Sequence, residues 1–339
     1  MSAFFSYALL VLVLVAFCHS KLFTLKETIE LINSESLVKE RDTNSLRHLI
    51  GPFFSLASNN STLNFNCKAL FSNESELQDQ VLLSKIEHWK LLGYKSYRWP
   101  PPKNIPPKLL NSYLMDGKAS LNHWYFKEMQ NGGIGYNWTL ELLENDFPEN
   151  TCGLYNMIEC KQVIENYGMF IKNKTGLVIG SQTPWAESVL FKAGAGHLTT
   201  IEYMKISTTH PRLSTIHPFD LSIMYQNGSF SRADFAWSYS SIEHDGLGQY
   251  GNPLNPFGDL EALARINCLL KPGGILFLAV PMGFDTVVWN AHRVYGMSRL
   301  SLLLSFWEVV DLLGNTIDIS NPSTMGQYVY HPMWVLRKI

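Results

Sequence analysis

Basic charge is the first thing this chain lacks. Its formal net charge is −2 with 17% charged residues, so the totals show no basic footprint for nucleic acid. None of its cysteines has metal-ligand spacing such as Cys-x-x-Cys, and no metal is assigned. Internal repeats and low-complexity tracts are absent, which excludes a repeat array. After the N-terminal stretch, no segment stays apolar over the roughly 20 residues that span a bilayer. The turn after the apolar run Leu177–Ile179 carries no Gly-x-Gly-x-x-Gly fingerprint, which makes a nucleotide-dependent reductase the least favoured enzyme reading.

What is present begins with a leader-like end. Phe4 to Phe17 is an apolar run, followed by Cys18-His19-Ser20 with small residues at the two positions a signal peptidase inspects. Residues 1–20 therefore read as a cleaved signal peptide, with no membrane segment in the mature chain. The run has no Lys or Arg before it, and an uncleaved anchor is the alternative. Six Asn-x-Ser/Thr sequons, at Asn59, Asn60, Asn73, Asn137, Asn173 and Asn227, point the same way, to secretion or an ER/Golgi lumen. Removing Cys18 leaves Cys67, Cys152, Cys160 and Cys268, an even number for an oxidising compartment, with three pairings open. Cys152 and Cys160 are near enough in sequence to close a small loop. Cys268 falls in an apolar helical stretch and reads as a buried thiol.

A length of 339 residues with 46% hydrophobic content leaves room for about two domains. Residues 21–165 are expected to form a mainly helical or irregular cap. It would include an amphipathic helix from Gln80 to Leu92, a proline-rich connector from Trp99 to Pro107 and a turn at Asn131-Gly132-Gly133. Residues 166–339 alternate strands and helices, which predicts an α/β fold with a doubly wound, mostly parallel sheet. The strands are Leu177–Ile179, Leu198–Glu202, Phe235–Tyr239, Ile275–Val280 and a terminal one within Tyr328–Leu336. Thr183 and Pro184 open one helix, Asp259 caps a second, and Ser301–Leu313 is a third.

In such sheets ligands bind beyond the carboxyl ends of the strands. Gly180 follows the first strand and lets a ligand approach the backbone. Glu202 lies 22 residues further on, close to the spacing of an acidic residue that grips ribose hydroxyls. Leu269-Leu270-Lys271-Pro272-Gly273-Gly274 before an apolar strand resembles the turn ahead of the fifth strand in class I S-adenosylmethionine (SAM)-dependent methyltransferases. Ser241-Ile242-Glu243-His244 resembles the Ser-x-Leu-Glu-His after their fourth strand. The similarity spans about residues 166–339 and implies a Rossmann-like fold with SAM as cofactor. It places Gly180, Ser181, Gln182, Glu202 and Ser241 at the cofactor. The chain departs from the pattern at Gly180: Val178 or Ile179 replaces the usual acidic residue before the first glycine, and Gln182 and Pro184 replace later glycines.

The segments Ser240–Gly251 and Trp289–Gly296 also resemble a nematode family of uncharacterised proteins, domain of unknown function two-six-eight. That resemblance implies the fold and carries no activity. Within the first segment His244 suits a general base, since an unperturbed imidazole titrates near pH 6.5, and Asp245 suits an orienting partner. Near the second, Asn290, His292 and Arg293 are expected substrate contacts, Arg293 offering a bidentate grip on a carboxylate, phosphate or sulfate. Trp237, Trp289 and Tyr250 could stack on a sugar or fill the core.

The reading that results is a secretory-pathway O-methyltransferase for a glycan or small secreted metabolite. A catalytically inactive methyltransferase-fold binding protein is the alternative, favoured by the broken glycine pattern. At least two of the six sequons should be occupied, so enzymatic removal of N-linked glycans should raise gel mobility. Unchanged mobility would count against the lumenal location.

Overall fold

The computed structural model describes residues 54–56, 63–65, 67, 100–126, 136–145, 158–252, 254–314 and 331–339. The expected signal peptide, the 80–92 helix, the 131–133 turn, Cys152 and three of the sequons lie outside them. In chain order the strands are β1 (Phe54–Leu56), β2 (Leu63–Phe65), β3 (Ser120–His123), β4 (Tyr136–Trp138), β5 (Thr175–Ile179), β6 (His197–Ile201) and β7 (Ile206–Thr208). They continue as β8 (Leu213–Ile216), β9 (Ala233–Tyr239), β10 (Leu270–Ala279), β11 (Thr286–Trp289), β12 (His292–Val294), β13 (Trp307–Leu313) and β14 (Met333–Lys338). The α-helices are α1 (Leu110–Tyr113), α2 (Leu140–Asn145), α3 (Ile158–Tyr167), α4 (Trp185–Lys192), α5 (Pro218–Gln226), α6 (Gly258–Leu269) and α7 (Met297–Leu303).

Seven strands form the main sheet in the order β13-β14-β10-β9-β5-β6-β8. Neighbours from β8 to β10 are parallel, whereas β14 runs antiparallel to both β10 and β13. The α/β sheet expected from the sequence is thus a mixed one. Its centre is apolar throughout because both faces are covered. Ile275, Leu276, Phe277 and Leu278 of β10 are each no more than 1% exposed. The pleat sends them alternately to opposite sides. Leu276 and Leu278 join Leu260, Leu263 and Ile266 of α6 and Leu300 of α7 in one core. Ile275 and Phe277 join Val163 of α3 and Ala186 and Leu190 of α4 in the other.

Three local expectations change. Ser301–Leu313 is not one helix: α7 stops at Leu303, and β13 follows as the edge partner of β14. Trp307, Val309 and Val310 suit a strand, and the ladder that selects it comes from residues outside any local window. Asp259 lies inside the first turn of α6 without capping it, because its carboxylate is drawn to buried arginines. Helix α4 starts at Trp185, with Pro184 at the cap position and no side-chain cap bond from Thr183.

The described part of the expected cap contains short strands as well as helices: β1 pairs with β2, and β3 and β4 pair with the C-terminal half. β3 adds in parallel to β11, and β4 to β7. Ile105, Leu109 and Tyr113 pack with Leu247, Leu254, Val287 and Trp289. Cys67 is disulfide-bonded to Cys268, 201 residues away on α6, so Cys268 is not the free buried thiol the sequence suggested. Cys160 is also disulfide-bonded, to a partner outside the described residues. Asn137, Asn173 and Asn227 are all exposed. Among the described residues no helix is long and apolar enough to cross a membrane.

Candidate functional site

The strand order reverses direction between β5 and β9: the chain winds outward to β6 and β8 on one side, and to β10 on the other. A crevice opens beyond the carboxyl ends at such a point. Here it is a cleft of about 420 Å³. The loop after β5 supplies Gly180, Ser181 and Gln182, and the end of β6 supplies Glu202. The turn after β9 supplies Ser241, His244 and Asp245. All seven residues expected at the cofactor or the reaction therefore line one cavity, whose size suits a nucleoside-sized ligand.

Gly180 has φ +66°, and a Cβ there would stand 2.0 Å from Ser241 Oγ. Only glycine fits both the left-handed backbone and that approach. Gly180 is thus required by the protein's own Ser241, before any ligand is considered. Glu202 is held rigidly: Oε1 accepts from the N–H groups of Tyr203 (2.7 Å) and Met204 (3.1 Å), and Oε2 from Ser181 N–H (3.0 Å). Burial raises its pKa, and the three backbone donors oppose that rise. A carboxylate has about four lone-pair sites, so capacity for a ligand hydroxyl remains. The backbone N–H groups of Gln182 and Thr183, beside the start of α4, make no hydrogen bond among the described residues. An anionic ligand group is suited to that place.

The turn after β9 is built tightly. Gly246 has φ +83°, and a Cβ on it would meet the Asn255 carbonyl oxygen at 2.0 Å. Asn252 Oδ1 accepts from the Gly246 and Gly248 N–H groups, at 3.1 and 2.9 Å, and its Nδ2 donates to the Gln249 carbonyl. His244 Nδ1 lies 2.6 Å from the Ala291 carbonyl oxygen. An oxygen there only accepts, so Nδ1 carries the proton and Nε2 keeps the lone pair. Ala291, not Asp245, therefore orients the ring. Burial lowers the His244 pKa below its ordinary 6.5, and Arg293 pushes the same way. Nε2 stands 3.7 Å from Glu243 Oε1, a carboxyl that is wholly buried. Asp245 lines the cleft with its carboxyl pushed up to about 8, by burial and then by Asp259 and Glu202, against Arg293 and Arg265.

The expected substrate contacts are placed differently. Arg293 is 0% exposed and cannot grip a substrate from solvent. Its guanidinium donates to the carbonyls of Glu243 (3.3 Å), Asp245 (2.5 Å), Asn255 (3.2 Å) and Pro256 (3.4 Å). Asn290 is also fully buried, its Oδ1 accepting from Phe126 N–H at 2.8 Å and its Nδ2 donating to Phe126 O at 3.3 Å. His292 sits outside the cleft lining, edge-on to Trp124 and His244, and is pushed down to about 4 by burial and then by His244. Trp237 and Trp289 are core residues, whereas Tyr250 does line the cleft. Glu187, on the first turn of α4, was not expected. It is wholly buried and hydrogen-bonded to Ser181 and Thr200 beneath the cleft. In sequence it looks like any helical glutamate; only the fold turns it inward.

With this geometry in place, comparison with known proteins adds a family. Residues 173–325 match the family described as "Caenorhabditis protein of unknown function, DUF268". That stretch carries every cleft residue named above. No curated protein matches. Among solved structures, the chain resembles the 1,6-didemethyltoxoflavin-N1-methyltransferase of Burkholderia thailandensis, crystallised with S-adenosylhomocysteine. The two are 15% identical with a TM-score of 0.34, over 53% of this chain and 78% of that one. It also resembles the N-methyltransferase NodS of Bradyrhizobium japonicum (12% identity, TM-score 0.34, 58% and 95% covered). An O-methyltransferase family protein of Burkholderia thailandensis is a third (11%, 0.35, 52% and 54%). The α/β fold is read from the chain's own strand order, with reversed β14 between β10 and β13.

Arg293 also stands 3.8 Å from Asp259, whose carboxyl would rise on burial alone but is held down to about 2 by Arg293 and Arg299. Breaking such a buried charge cluster by removing one member costs about 3–5 kcal/mol. Arg293→Ala should therefore unfold at markedly lower denaturant concentration than the parent. A variant of parental stability that lost only substrate affinity would restore Arg293 to the substrate site.

Proposed function

We propose that this protein is a SAM-dependent methyltransferase of the secretory pathway, acting on a hydroxyl of a glycan or small secreted metabolite. The observation that carries this reading is the convergence of Gly180, Glu202 and the Ser241–Asp245 turn on one cleft at the sheet's reversal point. The residues fit the cofactor. Glu202 is a fixed acceptor for ribose hydroxyls, and the free N–H groups at Gln182 and Thr183 suit a carboxylate. When bound, SAM supplies a methyl group on a sulfonium that is already strongly electrophilic, so positioning and proton removal remain for the protein.

His244 is in the right state for that removal. With its pKa lowered by burial it is neutral at pH 7, and its Nδ1 proton is committed to Ala291. A proton taken up at Nε2 would lie 3.7 Å from Glu243 Oε1, a carboxyl whose own pKa burial raises. Asp245, raised to about 8, is mainly the neutral acid at pH 7 and so offers a hydrogen bond to the acceptor. The location is supported by the Cys67–Cys268 disulfide, the second bonded cysteine at Cys160 and the three exposed sequons.

One observation favours the second reading, a binding protein without catalysis: Ser241 packs against Gly180, where the resemblance places open backbone. Two variants separate the readings. Glu202→Ala should weaken SAM binding by about 1–3 kcal/mol with the fold intact. His244→Gln should lower kcat by about 10²–10⁴-fold while leaving SAM affinity nearly unchanged. The parent's activity should rise with pH through a limb below 6.5, as His244 loses its proton, and the variant should lack that limb. A parent that binds SAM and transfers no methyl group to any hydroxyl acceptor would favour the binding protein. Equal SAM affinity in Glu202→Ala would remove Glu202 from the site.

A further inference from the structure

The loop after β5 lacks the acidic residue that the methyltransferase resemblance places before its first glycine; Val178 and Ile179 stand there, Val178 in the core. A carboxyl nevertheless reaches that loop from the helix that follows. Glu187 is 0% exposed, and an isolated buried carboxylate is costly. Its partners are few. Thr200 Oγ1, from β6, is a donor to Oε1 at 2.6 Å. Ser181 Oγ lies 3.0 Å from Oε2 and also 3.0 Å from the Thr183 carbonyl oxygen. Ser181 N–H in turn donates to Glu202 Oε2 at 3.0 Å. Ser181 is thus the joint between two carboxyls, one beneath the cleft and one lining it.

Burial settles how this joint is arranged. The Thr183 carbonyl also accepts from Trp185 N–H at 2.8 Å, so it is paired whichever way the Ser181 hydrogen points. The ionised form would place a carboxylate in the interior with only hydroxyl side-chain partners and no positive charge beside it. As the neutral acid, Glu187 gives its own hydrogen to Ser181 Oγ, and the Ser181 hydrogen goes to Thr183. No charge is then buried without a counter-ion. Among the described residues, Glu202 is the one charged group that bears on Glu187; Thr200 and Ser181 are uncharged. The first turn of α4 favours a negative charge, but burial outweighs it and, with Glu202 adding to the rise, brings Glu187 to about 7.

We propose that Glu187 is a positioning residue of the cleft: held as the neutral acid, it donates to Ser181 and so keeps the Ser181 N–H on Glu202, aiming that carboxylate at the hydroxyls of a nucleoside ligand. The ligand half of this statement rests on the methyltransferase reading; the protonation half does not. The helix-borne acid does for the loop, from below, what an acid at the strand end would do from in front.

The test has one arm for each half. In ligand-free protein, the folded state holds a proton that the unfolded chain gives up above the ordinary carboxylate value of 4.5. Stability conferred by that proton is full below 4.5 and falls as pH rises toward about 7. Glu187→Gln keeps the donor and cannot titrate. The stability of the parent relative to Glu187→Gln, followed by thermal unfolding, should therefore decline across that window; a difference that stays flat overturns the proposal. In the second arm SAM is the probe. Glu187→Ala should raise its Kd about tenfold, the loss typical when an outer partner of a ligating group is removed, and Glu187→Gln should stay close to the parent. Ser181→Ala leaves both carboxyls in place, so it serves if a Glu187 variant does not fold, and should show the same loss. Parental affinity in Glu187→Ala and Ser181→Ala, or equal losses in Ala and Gln, also overturns it. Should the parent bind no SAM, the methyltransferase reading fails, and the pH arm still decides whether Glu187 holds its proton.

Discussion

One buried guanidinium holds the working end of this protein together. Arg293 reaches from β12 into the turn after β9 and donates to four carbonyls on both limbs of the loop spanning residues 243–256. The Asn255 and Pro256 carbonyls have a second donor each, in Gly258 N–H and Arg299, but those of Glu243 and Asp245 rely on Arg293, and leaving them unpaired would be costly. The positive charge is balanced by Asp259, which also takes Arg299 at 2.6 Å and the Tyr295 hydroxyl at 2.9 Å. Tyr113, from the N-terminal half, closes the cluster by donating to the Gly246 carbonyl at 2.5 Å. Without this knot the turn bearing His244 and Asp245 would have little reason to lie over the sheet.

The cleft follows from what the knot fixes. With the β9 turn in place, Ser241 lies against Gly180, and the loops after β5 and β6 are drawn together by the Ser181–Glu202 bond. Two kinds of constraint therefore meet there. A charged cluster sets the side that carries His244 and Asp245, and two carboxyls joined through Ser181, Glu187 and Glu202, set the other. Each raised carboxyl is a cost in folding free energy at neutral pH, and such costs gather where chemistry or binding needs them.

The sheet was legible from the sequence where elements announce themselves locally. Leu177-Val178-Ile179 and Ile275 to Ala279 are apolar runs bounded by glycine, and a strand buried on both faces needs nothing more to be recognised. β13 was not legible, because Trp307 to Leu313 fits a helix as well until β14 arrives to pair with it. The cleft was legible for the residues that follow strands, since Gly180, Glu202 and His244 owe their places to topology. Arg293 and Asn290 were misplaced because their roles depend on depth, which no spacing reveals: an exposed arginine and one clamping four carbonyls have the same neighbours in sequence. Glu187 was hidden for the same reason. The Cys67–Cys268 bond joins residues 201 apart, and four cysteines leave three pairings without a fold to choose among them.

The central claim is that the cleft between the β5, β6 and β9 loops binds a SAM-type ligand through Glu202. Calorimetric titration of the purified full chain with SAM tests it most directly. The account predicts saturable one-to-one binding that S-adenosylhomocysteine displaces and that Glu202→Ala weakens. A folded, disulfide-bonded protein that shows no saturable heat with either ligand would contradict it.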